Sequence, residues 1–198
     1  MKRILVFLLV LFVMLDVQGQ RKKVGLVLSG GGAKGVAHIG VLKVLEEAGI
    51  PIDYNAETSM GSLVGALYAI GYDAHTMDSL VRRQDWTFLL SDKVYRYNLP
   101  FSEKEETEKY LVSVPIKNNR EIKIPSGFIS GQNIYNLFSD LTIGYHDSLD
   151  FKKLPIPFAC VASNLVDGQE VIQDCGVLPL AMRASMAIPG AFAPVRKD

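Results

Sequence analysis

The chain of 198 residues has no net charge and few residues of the kinds that bind metals. Its 21 basic residues balance 21 acidic residues, so no general excess of positive charge favours binding to nucleic acid. It has only 3 histidines and 2 cysteines, and these do not combine with acidic residues at a metal-ligand spacing. The sequence contains neither an internal repeat nor a low-complexity tract. The apolar content of 48% is sufficient for one domain with a hydrophobic core.

Long apolar runs are also scarce, and the clearest one, Ile4 to Leu15, lies near the N-terminus. It is shorter than the roughly 20 residues that a transmembrane helix needs. Lys2-Arg3 precedes it, and Val17-Gln18-Gly19 follows it with residues that suit a signal peptidase. We therefore expect a signal peptide over residues 1–19 and an exported protein that is periplasmic, attached to the outer membrane or secreted. An uncleaved membrane anchor is the alternative.

The segment from Val24 to Gly65 predicts two successive units of strand, turn and helix. In each unit a short strand ends in a turn that contains glycine, and a helix with apolar residues at helical spacing follows. The predicted elements are a strand at Val24–Leu28, a glycine turn at Ser29–Gly35, a helix from Val36 that stops at Gly49-Ile50-Pro51, a strand at about Ile52–Thr58, a serine turn at Ser59-Met60-Gly61 and a helix at Ser62–Ile70.

The two turns have complementary chemistry. Three successive glycines, Gly30 to Gly32, can bring their amides close to a ligand, and the following helix N-terminus adds partial positive charge. A serine on a strand-to-helix turn, Ser59, projects its hydroxyl out of the sheet. In a right-handed crossover both turns lie at the carboxyl edge of neighbouring parallel strands. The pattern therefore predicts an oxyanion hole beside a nucleophile.

At these residues the sequence resembles the patatin-like phospholipase family. The family's G-G-G-x-[K/R]-G loop is matched by Gly30–Gly35, and its G-x-S-x-G elbow is approximated by Glu57–Gly61. The segment Arg183–Phe192 is similar to the family's segment that leads toward its catalytic aspartate. These three segments occur in the family's order and span nearly all of the chain after the leader.

The resemblance implies an α/β fold with three α/β/α layers around a mainly parallel central sheet. It implies a serine lipid acyl hydrolase of phospholipase A type, acting on phospholipid esters at a membrane surface, with no metal and no cofactor. The site residues that it implies are the nucleophile Ser59, the oxyanion-hole residues Gly30, Gly31, Gly32 and Met60, and the supporting residues Lys34, Gly35 and Gly61.

Two positions before the serine depart from the family pattern. Glu57 stands where the elbow has its first glycine, so we expect crowding between strand and helix and a carboxylate near the oxyanion. Asn55 places a polar side chain in a strand that should be buried and apolar.

The family's general base is an aspartate in an Asp-Gly-Gly or Asp-Gly-Ala motif, which we expect beyond Asp198. Asp167-Gly168 precedes the Arg183–Phe192 segment and reads as a hairpin turn instead. The resemblance therefore predicts that residues 20–198 form a patatin-like domain that is truncated at its C-terminus, lacks the dyad aspartate and is almost inactive alone. Exported bacterial proteins similar to this family can continue into an outer-membrane barrel, which is a further expectation for a longer parent chain.

Three other functions remain open. Gly30–Gly35 also satisfies the G-x-G-x-x-G pattern of dinucleotide-binding domains, with Asp53 or Glu57 as the ribose-binding acid. A Ser-His-Asp hydrolase would need a histidine, and His146 beside Asp147 is the candidate in the right chain order. The third alternative is a patatin-like fold that serves as a non-catalytic binding or structural module.

The rest of the chain gives further expectations. If Asp167-Gly168 is a two-residue hairpin loop, Cys160 and Cys175 face each other across two strands, as a disulfide or as two buried thiols. The aromatic and charged segment Trp86–Leu111 is either a lid that meets lipid or a loop packed on the domain. The other predicted elements are a helix from Asp73 to Arg83, a polar hairpin at residues 113–127, a helix from Ser130 or Gly131, strands at Pro155–Ala162 and Glu170–Gln173, and a helix from Pro179 to about Ala187.

Overall fold

The computed structural model describes residues 21–101, 104 and 127–196. The predicted signal peptide lies outside these residues, and so do most of the hairpin predicted at residues 113–127 and the end of the segment Trp86–Leu111. Within the described part of the chain, no helix combines the length and hydropathy needed to cross a membrane.

The predicted strands and helices that lie within the described residues occur in the predicted order, together with short elements that were not predicted. The strands are β1 (Gly25–Leu28), β2 (Tyr54–Thr58), β3 (Gly127–Ile129), β4 (Leu149–Asp150), β5 (Phe158–Ser163), β6 (Glu170–Gln173), β7 (Cys175–Gly176) and β8 (Gly190–Phe192). The α-helices are α1 (Ala37–Glu47), α2 (Met60–Ala69), α3 (Ala74–Arg83), α4 (Trp86–Leu89), α5 (Gln132–Leu141) and α6 (Leu178–Ser185). Short 3-10 helices cover Gly32–Val36, Arg96–Asn98 and Phe151–Lys153.

The central sheet has the order β1-β2-β5-β6. The strands β1, β2 and β5 are parallel, and β6 is antiparallel to β5. Two smaller pairs, β3 with β8 and β4 with β7, lie outside this sheet. Because β1 and β2 are adjacent and parallel, the turns that follow them meet at one edge of the sheet. The predicted α/β class with a mainly parallel sheet is confirmed.

One face of the sheet carries the core. Leu28, Phe158 and Cys160 are buried on this face, where they pack with apolar residues of α1, α2 and α6. The opposite face is open among the described residues, since Val27 is 77% exposed and Tyr54 is 46% exposed. The described chain therefore supplies the sheet and the helices of one face.

Helix α3 begins as its sequence predicts. The Asp73 side chain accepts a hydrogen bond from the Thr76 amide at 2.7 Å, which satisfies an amide at the helix N-terminus. Asp78 on α3 forms an ion pair with Lys43 of α1 at 2.8 Å, which joins α3 to α1.

The described part of the segment Trp86–Leu111 packs on the domain. Phe88 stacks on Tyr95 with ring centroids 4.2 Å apart. The Asn133 side chain, on α5, donates to the Ser91 carbonyl oxygen at 2.9 Å. The interpretation as a packed loop therefore holds for this part of the segment.

The predicted pairing of Cys160 with Cys175 is wrong. Cys160 lies opposite Gln173, because β5 and β6 are joined by a loop from Asn164 to Gln169 that is longer than a two-residue turn. Cys175 is exposed and pairs with Asp150 in the β4–β7 ladder. The register therefore keeps the two cysteines from facing each other across a strand pair, and Cys175 is not a buried thiol.

Candidate active site

Ser59 occupies a strained turn between β2 and α2. Its φ of 54° and ψ of −121° make it the one non-glycine residue with positive φ in the described chain. Such a conformation costs on the order of 1–3 kcal/mol for a residue with a side chain, so the surrounding contacts must hold it. The sharp turn is the geometry expected of a nucleophile elbow.

Glycines allow the elbow to approach the end of β1. A Cβ atom on Gly61 would overlap the Leu28 carbonyl group. A Cβ atom on Gly35 would lie 2.6 Å from the Met60 side chain, which is also too close. Larger residues at either position would push the serine turn away from the glycine loop. Both predicted supporting glycines therefore have a steric reason.

The glycine loop lies directly against Ser59. A Cβ atom on Gly30 would be 3.1 Å from the Ser59 Cβ atom and 3.8 Å from its Oγ atom. Among the described residues, no acceptor bonds to the amides of Gly30 and Gly31. The amide of Gly30, which lies beside Ser59, and that of the adjacent Gly31 are therefore without an internal acceptor, as an oxyanion hole requires.

The other predicted loop residues surround this pair. Gly32 has a φ of 55°, and it begins the 3-10 helix that leads into α1. The Lys34 amide donates to the Gly31 carbonyl oxygen at 3.2 Å, and the Lys34 residue is exposed. Met60 is the first residue of α2, where backbone amides lack partners inside the helix. The structure thus brings Gly30, Ser59, Met60 and their neighbours together at the same edge of the sheet.

Two serine hydroxyls hold the backbone of Ser59, and the sequence pattern did not single out either one. The Ser59 amide donates to Ser185 Oγ at 2.8 Å, and Ser185 Oγ donates to the Val161 carbonyl oxygen at 2.6 Å. Ser62 Oγ donates to the Ser59 carbonyl oxygen at 2.6 Å. Ser185 lies in the family-like segment Arg183–Phe192, which was the one sequence signal that could have drawn attention to it.

Neither the candidate base His146 nor His38, which lies beside the glycine loop, forms a hydrogen bond with the Ser59 hydroxyl. His38 is partly exposed and its Nε2 atom is 2.9 Å from the Ser29 carbonyl oxygen, so it contacts the loop backbone. The Nε2 atom of His146 is 2.8 Å from the Ser139 carbonyl oxygen at the end of α5. A Ser-His-Asp arrangement built on His146 has no support in this geometry.

Glu57 is buried beneath the elbow rather than beside the oxyanion loop. It is 2% exposed, and its carboxyl group lies against Gly65 of α2, where a Cβ atom would overlap it. Neither carboxyl oxygen has a hydrogen-bond partner, and burial raises the pKa of Glu57 to about 9. Glu57 is therefore protonated and neutral at neutral pH, in contrast to the negatively charged carboxylate expected from the sequence.

Asn55 lies on the same face of β2 as Glu57. It is 3% exposed, and its Nδ2 atom donates to the Gly65 carbonyl oxygen at 3.1 Å. Its Oδ1 atom has no partner. Two polar side chains therefore take up space between β2 and α2 that apolar residues would normally fill.

The described residues do not provide the predicted base or a metal site. No carboxylate among them forms a hydrogen bond with Ser59 Oγ, and Asp167 accepts a hydrogen bond from the Gln169 amide at 3.0 Å in its own turn. No group of three or more potential metal ligands is found in the described chain.

The two acids considered for dinucleotide binding, Asp53 and Glu57, are not free to bind a ribose. Asp53 forms a bidentate pair with Arg21, with oxygen–nitrogen distances of 2.7 and 2.8 Å, and accepts from the Val24 amide at 2.7 Å. These bonds lower the pKa of Asp53, with the Arg21 bond as the main cause. Glu57 is buried against α2. Neither acid is placed to hold a ribose.

Comparison with known proteins agrees with this geometry. The patatin-like phospholipase family model matches residues 26–198. The match includes the glycine loop, the serine elbow and the Arg183–Phe192 segment. The chain belongs to the patatin-like phospholipase family, which is a family of lipid hydrolases.

Curated relatives lead to the same family. An uncharacterised NTE family protein of Mycobacterium tuberculosis is 30% identical over 174 residues, which are 88% of this chain and 24% of that protein. The lysophospholipase nte1 of Aspergillus fumigatus is 32% identical over 174 residues, which are 88% of this chain and 10% of that protein. The chain thus spans between a tenth and a quarter of the length of these relatives.

Solved structures show the same fold at lower identity. VipD from Legionella pneumophila superposes with a TM-score of 0.54 and 17% identity over 89% of this chain and 44% of that chain. ExoU of Pseudomonas aeruginosa, solved in complex with SpcU, gives a TM-score of 0.53 and 20% identity over 84% of this chain and 38% of that chain. At these identities the likeness concerns the fold alone.

Proposed function

We propose that the chain is the nucleophile-bearing part of a serine phospholipase of A type. Ser59 loses its proton to the base and attacks the acyl carbonyl carbon of a phospholipid or lysophospholipid; the ester C–O bond breaks, and the lipid alcohol leaves with that proton. Water then hydrolyses the acyl-enzyme, which releases the fatty acid and restores Ser59. The amides of Gly30, Gly31 and Gly32, with that of Met60, stabilise the oxyanion. Lys34, exposed on the loop, adds positive charge near the lipid phosphate.

The observation that carries this proposal is the contact between Gly30 and Ser59. A positive-φ serine lies so close to Gly30 that a Cβ atom on this glycine would be 3.1 Å from the Ser59 Cβ atom, and the Gly30 amide has no acceptor among the described residues. In acyl transfer these are the two groups that must lie closest to the reacting carbonyl group. The similarity to a protein named lysophospholipase supports a lipid ester as the substrate.

We further propose that the general base is an aspartate of an Asp-Gly-Gly or Asp-Gly-Ala motif, which residues 1–198 do not contain. In a serine–aspartate dyad the carboxylate must contact the serine directly in a dry pocket, where its basicity is raised. Without it, turnover by Ser59 should fall by at least the 10²–10³-fold typical of a lost oxyanion donor.

The leader suggests where the reaction takes place. The charged residues Lys2-Arg3 followed by the apolar run Ile4 to Leu15 support export, and the substrate would then be a membrane lipid outside the cytoplasm. Detection of a mature protein that begins near Gln20 in an extracytoplasmic fraction would support this; a full-length protein retained in the cytoplasm would contradict it.

Ester hydrolysis tests the function directly. Residues 1–198 and a longer version that carries an Asp-Gly-Gly segment are assayed with a phospholipid and a short-chain ester, each beside its Ser59→Ala variant. We expect hydrolysis that depends on Ser59 in the longer version only. Equal hydrolysis by the Ser59→Ala variant would overturn the nucleophile, and equal activity of residues 1–198 would overturn the missing base.

The buried polar pair favours one second candidate. Asn55 and Glu57 leave three buried oxygens without partners beneath the elbow. A fold that no longer needs a stable catalytic turn could tolerate this, as a non-catalytic binding module would. Tight phospholipid binding without Ser59-dependent hydrolysis in the longer version would favour that candidate.

A further inference from the structure

The amide and the carbonyl group of Ser59 each form a hydrogen bond with another serine. One of these serines is close in the sequence and the other is distant. Ser62 lies in α2, which directly follows Ser59, so its hydrogen bond is local and does not connect the turn to another element. Ser185 is the last residue of α6, far along the chain, and it bonds to the amide that leads into the strained turn. The second contact therefore fixes the elbow relative to the rest of the domain.

The chemistry of the three atoms fixes the direction of each hydrogen bond. A backbone amide can only donate and a backbone carbonyl oxygen can only accept. The single hydroxyl proton of Ser185 must therefore point to the Val161 oxygen at 2.6 Å, and a lone pair accepts the Ser59 amide at 2.8 Å. Each bond polarises the other in the same sense.

The position of Val161 explains how these two hydrogen bonds can hold the turn at Ser59. Val161 lies in β5 and is the parallel partner of Thr58, the residue immediately before Ser59. The Ser185 hydroxyl thus links the Ser59 amide, at the end of β2, to β5, against which α6 packs. The turn at Ser59, with its φ of 54°, is held against relaxation at its entry point.

We propose that Ser185 is a positioning residue that orients Ser59 toward the glycine loop through the relay Ser59 amide, Ser185 hydroxyl and Val161 carbonyl. The inference deepens the proposed function and rests on it. Because the Ser59 amide is used in this relay, it is unavailable to the oxyanion, which leaves that role to the glycine loop and Met60. Small displacements of a nucleophile reduce rate strongly, by as much as about 10²-fold for 1 Å.

Amide hydrogen exchange tests the contact itself, without any need for activity. In residues 1–198, Ser185→Ala should accelerate exchange at the Ser59 amide by about tenfold or more, and Ser185→Thr should restore protection. Thr142→Val is the matched control, since it removes a buried hydroxyl that donates to the Phe138 carbonyl oxygen on α5 at 2.7 Å. Unchanged exchange at Ser59 in Ser185→Ala would overturn the inference. If Ser185→Ala does not fold, Ser185→Cys is measured instead. Its side chain is similar in size to serine but its thiol is a weak hydrogen-bond acceptor, so exchange at the Ser59 amide should again be faster than in the wild type.

Kinetics in the longer, Asp-containing version test the consequence. We expect Ser185→Ala to lower kcat by roughly ten- to a hundredfold with KM nearly unchanged, and Ser185→Thr to recover most of the loss. A wild-type protein with Ser59-dependent hydrolysis and a Ser185→Ala variant of equal kcat would overturn the positioning role alone. A wild-type protein without Ser59-dependent hydrolysis would overturn the proposed function and the positioning role with it.

Discussion

The segment from Asn55 to Ser59 contains two unfavourable features that differ in their hydrogen bonding. One is a strained backbone whose polar groups have partners, and the other is a pair of buried side chains with oxygens that have none. At the C-terminal end, Ser59 adopts a strained backbone conformation, but its amide and carbonyl groups both have partners. On the side facing α2, Asn55 and Glu57 have ordinary strand geometry, but three of their buried oxygens have no partner.

The backbone strain at Ser59 and the unsatisfied carboxyl group of Glu57 differ in their relation to the candidate site. The strained turn places Ser59 beside Gly30 of the glycine loop, which is the arrangement that the proposed reaction needs. The Glu57 carboxyl group lies against Gly65 of α2, and neither of its oxygens has a hydrogen-bond partner. We interpret the first as part of the catalytic arrangement and the second as a burden on stability that changes with pH.

The largest expected effect is on the catalytic side. Gly30→Ala would place a methyl group 3.1 Å from the Ser59 Cβ atom, which is tighter than an ordinary contact. We expect hydrolysis by the longer version to fall on the order of 10²–10³-fold, as when an oxyanion donor is lost. Gly25→Ala is the control, since a Cβ atom there meets nothing within 4 Å. Equal loss in both variants would contradict a specific contact between Gly30 and Ser59.

The next effect concerns the pH dependence of stability. The pKa of Glu57 is raised from 4.5 to about 9, so the folded protein keeps a proton that the unfolded chain releases in this range. The free energy of unfolding should therefore fall as pH rises from about 4.5 to about 9, by up to about 1.4 kcal/mol per pH unit.

Urea unfolding at several pH values measures this slope. The isosteric variant Glu57→Gln should lose the pH-dependent part of the free energy of unfolding, and Glu57→Gly should also gain stability by relieving the crowding against Gly65. Parallel pH profiles for the wild type and Glu57→Gln would show that Glu57 is not buried in its neutral form.

The smallest effect compares two glycines by thermal unfolding. Gly61→Ala should destabilise the fold by about 1–3 kcal/mol, because its Cβ atom would overlap the Leu28 carbonyl group. Gly40→Ala, in the interior of α1 with nothing within 4 Å of a Cβ atom, should stabilise the fold by about 0.5–1 kcal/mol. A Gly61→Ala variant as stable as the wild type would show that the elbow does not press against β1.

Local patterns predicted most of the elements because their causes are local. Asp73 caps α3 through a residue three positions away, and apolar spacing marked α1 and α2. Likewise, the order of strand, glycine loop, helix, strand and serine turn placed Gly30 beside Ser59, since parallel neighbours share an edge.

The predictions that failed, or were missing, depend on contacts between distant parts of the chain. The pairing of Cys160 with Cys175 assumed a loop length, and one wrong length moved Cys160 opposite Gln173. The side to which Glu57 turns depends on how α2 packs over β2. The contact between Ser59 and Ser185 joins residues 126 positions apart, and no local pattern encodes it.

The central claim, that Ser59 is the nucleophile, is tested most directly by labelling with a fluorophosphonate ester probe and locating the modified residue by mass spectrometry. The probe mimics an acyl ester and reacts only with an activated serine. We expect the probe to modify Ser59 in the version that carries the Asp-Gly-Gly segment, and not in residues 1–198 alone. Absence of any label at Ser59 in the longer version would contradict the account and favour a non-catalytic module.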